Sequence, residues 1–234
     1  MINLWDLYSF TYDSLAILPS YKNMINNIIK ALEITEKEKY LDLGCGTGNL
    51  ALEIVKRYNT LEISIYGLDF SNTSLLIANK KIKNLSTKSK PHFFLYDVRK
   101  GLPFPSSYFD GVSLVQLINY FPKVSDVIKL MGEVNRVTKK NGKIVIVSVA
   151  RPHKFIKGSL DFRKALQCYP LKTIKNVPFF IANAFFNLPM KLGKNIKLYD
   201  EKCLEKIGEI LKWKKEYSQS VYYNDINILV KFKK

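Results

Sequence analysis

Cysteine is scarce in this 234-residue chain: Cys45, Cys168 and Cys203 form no C-x-x-C pair and no even framework. That argues against a disulfide scaffold or a zinc site and fits a reducing compartment. No stretch reaches the roughly 18 apolar residues of a membrane span, and the first residues carry no basic segment followed by an apolar run. The chain therefore reads as soluble, unprocessed and cytoplasmic. Arginine is scarce too, with five among 37 basic residues, although the net charge is +17. A charge of that size suits an anionic partner, nucleic acid or a membrane surface. Yet the residue best suited to bidentate phosphate and base contacts is the one in short supply. A Lys-, Asn- and Ile-rich composition is also what a coding bias toward A and T produces. Only two histidines, His92 and His153, are available as imidazole bases.

What is present is concentrated in Tyr40-Leu-Asp-Leu-Gly-Cys-Gly-Thr-Gly-Asn-Leu50. A short apolar run meets glycines at 44, 46 and 48, and a helical apolar period resumes at once, so the stretch predicts strand, tight turn, helix. Glycines there permit positive φ and a close ligand approach, while the new helix offers its first N–H groups. A dinucleotide fingerprint would need its third glycine at 49, where Asn49 stands. The pattern D-L-G-C-G-T-G, beginning at Asp42, resembles motif I of the class I S-adenosylmethionine (SAM) dependent methyltransferases.

The segments downstream fit the same scheme. A strand over 61–68 ends in Asp69-Phe70-Ser71, and an acidic residue about twenty positions past the glycines is where both ribose hydroxyls are held. Phe70 is placed to lie against the adenine, and Ser71 to cap the next helix. The basic stretch 79–90 reads as a solvated helix end and loop. A third strand, 91–96, ends in Asp97-Val98; the resemblance implies that Asp97 receives the adenine amino group. The segment 101–112 matches the family's approach to its fourth strand, 111–115, which opens into Gln116-Leu-Ile-Asn-Tyr-Phe-Pro122. Enzymes of the family acting on base amines carry a Pro-Pro-aromatic run there, and this chain does not. The string 133–143 resembles the lead into strand five of small-molecule enzymes, with Glu133 and Arg136 reading as a helix-stabilising pair.

Five strands separated by helices imply a parallel sheet with ligands outside its carboxyl ends. Two final alternating runs, 211–217 and 226–232, read as a hairpin whose last strand is antiparallel. The expected fold is α/β: a Rossmann-like, seven-stranded class I methyltransferase sheet with helices on both faces and an α-helical lid insertion. One domain is expected, with residues 1–35 as a helical cap starting a helix from a Ser20 N-cap, 36–150 as the SAM-binding core, 151–200 as the lid and 201–234 as the last helix and hairpin. The Tyr12-Asp13 pair resembles one common in quinone- and lipid-type methyltransferases, and the nearly all-apolar segment 177–190 is read as a lid over an apolar pocket, able to touch a membrane, with core packing or a dimer contact as the alternatives.

The candidate cofactor residues are Asp42, Gly44, Cys45, Gly46, Gly48, Asp69, Phe70, Asp97, Val98 and Gln116. The candidate bases, should the acceptor need one, are His153, Tyr120 and Tyr12. No metal is expected; S-adenosylhomocysteine would be the product. The implied function is methyl transfer from SAM to a small or lipid-like apolar acceptor. An RNA or protein methyltransferase and a non-catalytic SAM-binding module are the alternatives.

Overall fold

The computed structural model describes residues 4–151, 155–186, 197–221 and 226–234. Seven strands form one sheet: β1 (Lys39–Leu43), β2 (Ser64–Asp69), β3 (Lys90–Leu95), β4 (Phe109–Val115), β5 (Thr138–Val149), β6 (Lys214–Val221) and β7 (Asn227–Lys233). Their order is β3-β2-β1-β4-β5-β7-β6. The first five are mutually parallel, and β7 enters antiparallel between β5 and β6. The order reverses between β1 and β4, and at such a point the loops leaving the two carboxyl ends diverge and open a crevice.

The pleat divides the core in two. Leu41, Leu43, Val112, Leu114, Ile144 and Ile146 point to one face, where α5 (Val124–Val137) and α8 (Glu201–Ile210) cover them. Tyr40, Ile65, Val145 and Val147 point to the other, under α2 (Pro19–Leu32) and α3 (Asn49–Arg57). Central parallel strands are buried on both faces and so read as unbroken apolar runs. Helix α2 buries Met24, Ile25, Ile28, Ile29 and Leu32, the stripe its spacing predicts. The remaining helices are α1 (Leu4–Tyr12), α4 (Asn72–Ile82), α6 (Phe155–Cys168) and α7 (Pro170–Phe186). No helix among the described residues is long and apolar enough to cross a membrane.

Several local expectations are corrected. Helix α2 starts two residues early, because Pro19 occupies its first turn with Leu18 as the cap residue; the ring's fixed φ suits that position. Ser20 instead gives its N–H and hydroxyl to Asp161 of α6. Strand β2 begins at Ser64 rather than 61. The β5 ladder extends back to Thr138 through a bulge, and the terminal strands sit later than the alternation suggested. Glu133 and Arg136 pair at 2.7 Å, and they also clamp the 102–104 loop through the Leu102 N–H and the Leu102 and Phe104 carbonyls.

Candidate active site

The glycine turn is built onto the neighbouring strand. The N–H groups of Gly44 and Cys45 both reach the Leu68 carbonyl, at 2.8 and 3.1 Å, and the Gly48 N–H closes the turn on the Cys45 carbonyl at 3.0 Å. Gly46 and Gly48 both have positive φ, +53° and +72°, but they serve different ends. A Cβ on Gly48 would lie 2.8 Å from the Ala78 Cβ and 3.1 Å from the Phe93 ring, so helix and strand packing demand its absence. A Cβ on Gly46 would meet nothing within 4 Å. That backbone is bare toward open space.

The space is a cavity of about 930 Å³ at the carboxyl ends of the strands, near the upper end of the about 300–1,000 Å³ typical of ligand sites. Asp69, at the end of β2, lines it: one carboxylate oxygen accepts the Gly46 N–H at 2.9 Å, the other the Ser71 N–H at 2.9 Å. Burial pushes its carboxyl above the usual range, and those N–H groups oppose the shift. Ser71 caps α4 by accepting the Ser74 N–H. Phe70 is 44% exposed and meets Trp5 edge-on at 6.1 Å. Asp97 and Val98 line the same end, where the Arg99 guanidinium grips Asp97 through two 2.8 Å bonds and holds its carboxyl low. Gln116 lines the cavity with φ +55° and its N–H on the Val147 carbonyl. Gly44, Cys45, Gly46 and Asp42 complete that wall, whereas Gly48 is packed behind it.

Asp42 is almost fully buried and accepts the Ser113 hydroxyl at 2.8 Å. Burial pushes its carboxyl up to about 7, with the Ser113 hydroxyl opposing and the Asp69 charge adding. Between its ordinary value and 7, the folded state keeps a proton that the unfolded chain has lost. Its contribution to stability therefore falls as pH rises, by at most about 1.4 kcal/mol per unit. Asp42→Asn should gain on wild type progressively from pH 5 to pH 7 in thermal melts. A difference constant across that range would place the Asp42 carboxyl at its ordinary value.

Helix α1 roofs the cavity with Trp5, Tyr8, Ser9 and Tyr12, one face at i, i+3, i+4 and i+7. It is fastened at both ends. Ser71 donates to Asp6 at 2.7 Å, and Ser9 bonds Ser74. Asp13 accepts from Thr47 at 2.6 Å, Asn49 at 3.2 Å and Lys81 at 2.6 Å; Lys81 also reaches the Thr47 carbonyl and the Asn49 side chain. Sequence reasoning missed this anchorage. Lys81 falls in the stretch read as solvated, yet its side chain is only 17% exposed, and burial lowers its pKa. The signals were Asp13, singled out only by resemblance, and Asn49, which replaces a fingerprint glycine and ties the cap to the turn.

The candidate bases fare unequally. Tyr12 and Tyr120 both line the cavity, but burial pushes their phenols up, so neither supplies a phenolate at neutral pH. Trp5 meets Tyr120 edge-on at 4.7 Å. His153 lies outside the described residues. His92 lies on edge strand β3 against Tyr66, away from the cavity lining. The expected insertion is helical, yet among its described residues only Lys197 touches the cavity; α7 instead packs against α1.

The model of the family described as "Methyltransferase domain" matches residues 34–223. The chain is 26% identical over 145 residues to the sterol 4-C-methyltransferase strm-1 of Caenorhabditis elegans, covering 62% of this chain and 41% of the relative. It is 25% identical over 155 residues to the demethylmenaquinone methyltransferase of Geobacillus kaustophilus strain HTA426, covering 65% and 64%. Each match thus spans less than two thirds of the relative's own length. A SAM-dependent methyltransferase from Methanosarcina mazei shares the fold, with a TM-score of 0.61 at 16% identity over 88% of this chain and 96% of that one.

Proposed function

The chain belongs to the methyltransferase-domain family, and from that premise we propose that it transfers the methyl group of SAM to a small, lipid-like apolar acceptor. One observation carries the reading: a single cavity joins a polar wall fitted to a nucleoside with an aromatic wall of Trp5, Tyr8, Tyr12 and Tyr120. Asp69 holds the ribose hydroxyls, Asp97 and Val98 the adenine edge, and Phe70 the adenine face. The bare backbone at Gly46 admits the amino-acid end of the cofactor, with Asp42, Gly44, Cys45 and Gln116 around it. Gly48 keeps the turn in shape from behind.

SAM supplies an activated methyl group, so this chain's task is alignment in a dry pocket. The α1 roof excludes water. Tyr12 and Tyr120 stay neutral; the Tyr12 hydroxyl is hydrogen-bonded to Tyr21, which leaves Tyr120 as the donor that orients the acceptor. The acceptor must then be nucleophilic without help from either phenol. Residues 1–35 serve as the cap of one domain whose core is 36–150, with α6 and α7 of the 151–200 segment backing the cap and 201–234 closing the sheet. The sterol and demethylmenaquinone enzymes named among the relatives support an acceptor of this class.

Incubation with methyl-labelled SAM and separated lipid, quinone, small-metabolite and RNA fractions tests the proposal. Label in an organic-soluble or small-metabolite product is expected. Label confined to RNA or protein, or SAM binding without turnover on any fraction, would overturn it.

A further inference from the structure

Helix α7 turns a broad arc to solvent. Leu171, Ile174, Phe179 and Ile181 are 75, 58, 45 and 66% exposed. At 100° per residue, 171, 174 and 181 lie within about one quarter of a turn, and the exposed Lys175 and Lys172 follow along its flank. The opposite side is engaged: Thr173 is buried and bonded to the Ala165 carbonyl of α6, and Phe180 meets Phe162 edge-on at 5.2 Å. The outward arc is thus left over after α7 has satisfied its own packing. Large apolar side chains grouped like this on a water-facing helix mark an interaction surface.

Charge selects the occupant. Residues 151–199 contain ten Lys and Arg against a single acidic residue, Asp161. Asp161 is itself buried and bonded to Ser20, so it does not offset the outward field. A second copy of this chain would bring the same positive field to the contact. RNA would answer the lysines and leave the leucine and isoleucines in water. An anionic bilayer answers both, with headgroups for the lysines and acyl chains for the apolar arc.

We propose that α7 docks in the interface of an anionic lipid bilayer. Its inner side packs on α1, the roof of the acceptor cavity, so docking brings that roof to the membrane. Delivery of the acceptor from the bilayer into the cavity follows, and this second step rests on the function proposed above.

The test is co-sedimentation of the full chain with vesicles of phosphatidylcholine mixed with phosphatidylglycerol, against pure phosphatidylcholine. Wild type should partition onto the mixed vesicles in a salt-sensitive way. The pair Lys172→Gln and Lys175→Gln should weaken partitioning about 25-fold, at about fivefold per basic residue near an anionic surface. The pair Ile174→Asn and Ile181→Asn should abolish it. Calorimetry should find unchanged SAM affinity in both variants, since neither pair lines the cavity. Vesicle binding that survives both pairs overturns the proposal, as does failure of wild type to bind mixed vesicles. So does a wild-type dimer that the isoleucine pair dissolves, or lysine-dependent RNA binding without vesicle binding. Docking intact with no methyl transfer to any lipid would defeat the delivery step alone.

Discussion

Asp69→Ala should weaken SAM binding by about 100-fold. The carboxylate stands at the end of β2 with an oxygen toward each of two backbone N–H groups, Gly46 and Ser71. Those bonds fix its orientation and leave lone pairs free toward the cavity. Hydrogen bonds to a charged group contribute about 1.5–3 kcal/mol each, and two ribose hydroxyls would double that. Part is lost because burial already disfavours the ionised form, so about 3 kcal/mol is a reasonable net, or two powers of ten in affinity. Asp69→Asn should fall between: it keeps one acceptor, but its NH₂ must face a ribose hydroxyl or one of the two N–H groups. Calorimetry with SAM and S-adenosylhomocysteine on the three proteins measures this. An alanine variant within a few-fold of wild type would remove Asp69 from the cofactor site.

The rim of the sheet was legible because each part of it is local. A parallel strand declares itself by an apolar run, and the residue ending it by glycine or a carboxylate, as at Gly44, Asp69 and Asp97. Each signal lies in its own strand and turn or, for Asp69, within the about twenty residues that separate it from the glycines, and the sheet assembles them side by side. What failed to show depended on partners far along the chain. Ser20 looks like a cap by type, but its hydroxyl goes to Asp161, and Pro19 has already begun the helix. Lys81 looks solvated in a run of lysines, yet it is folded under against Asp13, 68 positions earlier. Segment 177–190, whose last four residues lie outside the described ones, looked like the pocket's cover because it is apolar nearly all round. Periodicity reports that a helix has an apolar face but not which cavity or surface that face meets. Here α1 covers the cavity and α7 lies behind it.

The glycine turn offers the sharpest separation of a structural role from a ligand-binding one. Alanine at 46 and alanine at 48 both force a side chain into positive φ, at a cost of about 1 kcal/mol or somewhat more. Beyond that the two sites diverge. At 48 the new methyl group would sit 2.8 Å from the Ala78 Cβ and 3.1 Å from Phe93, so α4 and β3 must both give way. Overpacking of that kind adds roughly 1–3 kcal/mol, and Gly48→Ala should lower the melting temperature of the ligand-free protein by many degrees. At 46 the methyl group meets no protein atom within 4 Å, so Gly46→Ala should melt only slightly below wild type. It should nevertheless bind SAM at least about tenfold more weakly, because under the proposed binding mode the new methyl group would enter the space the ligand takes beside bare backbone. Thermal melts without ligand and calorimetry with SAM separate the two quantities. If Gly46→Ala binds as wild type does, the open space beside the turn is not the cofactor's, and the turn reverts to a device for packing strand against helix.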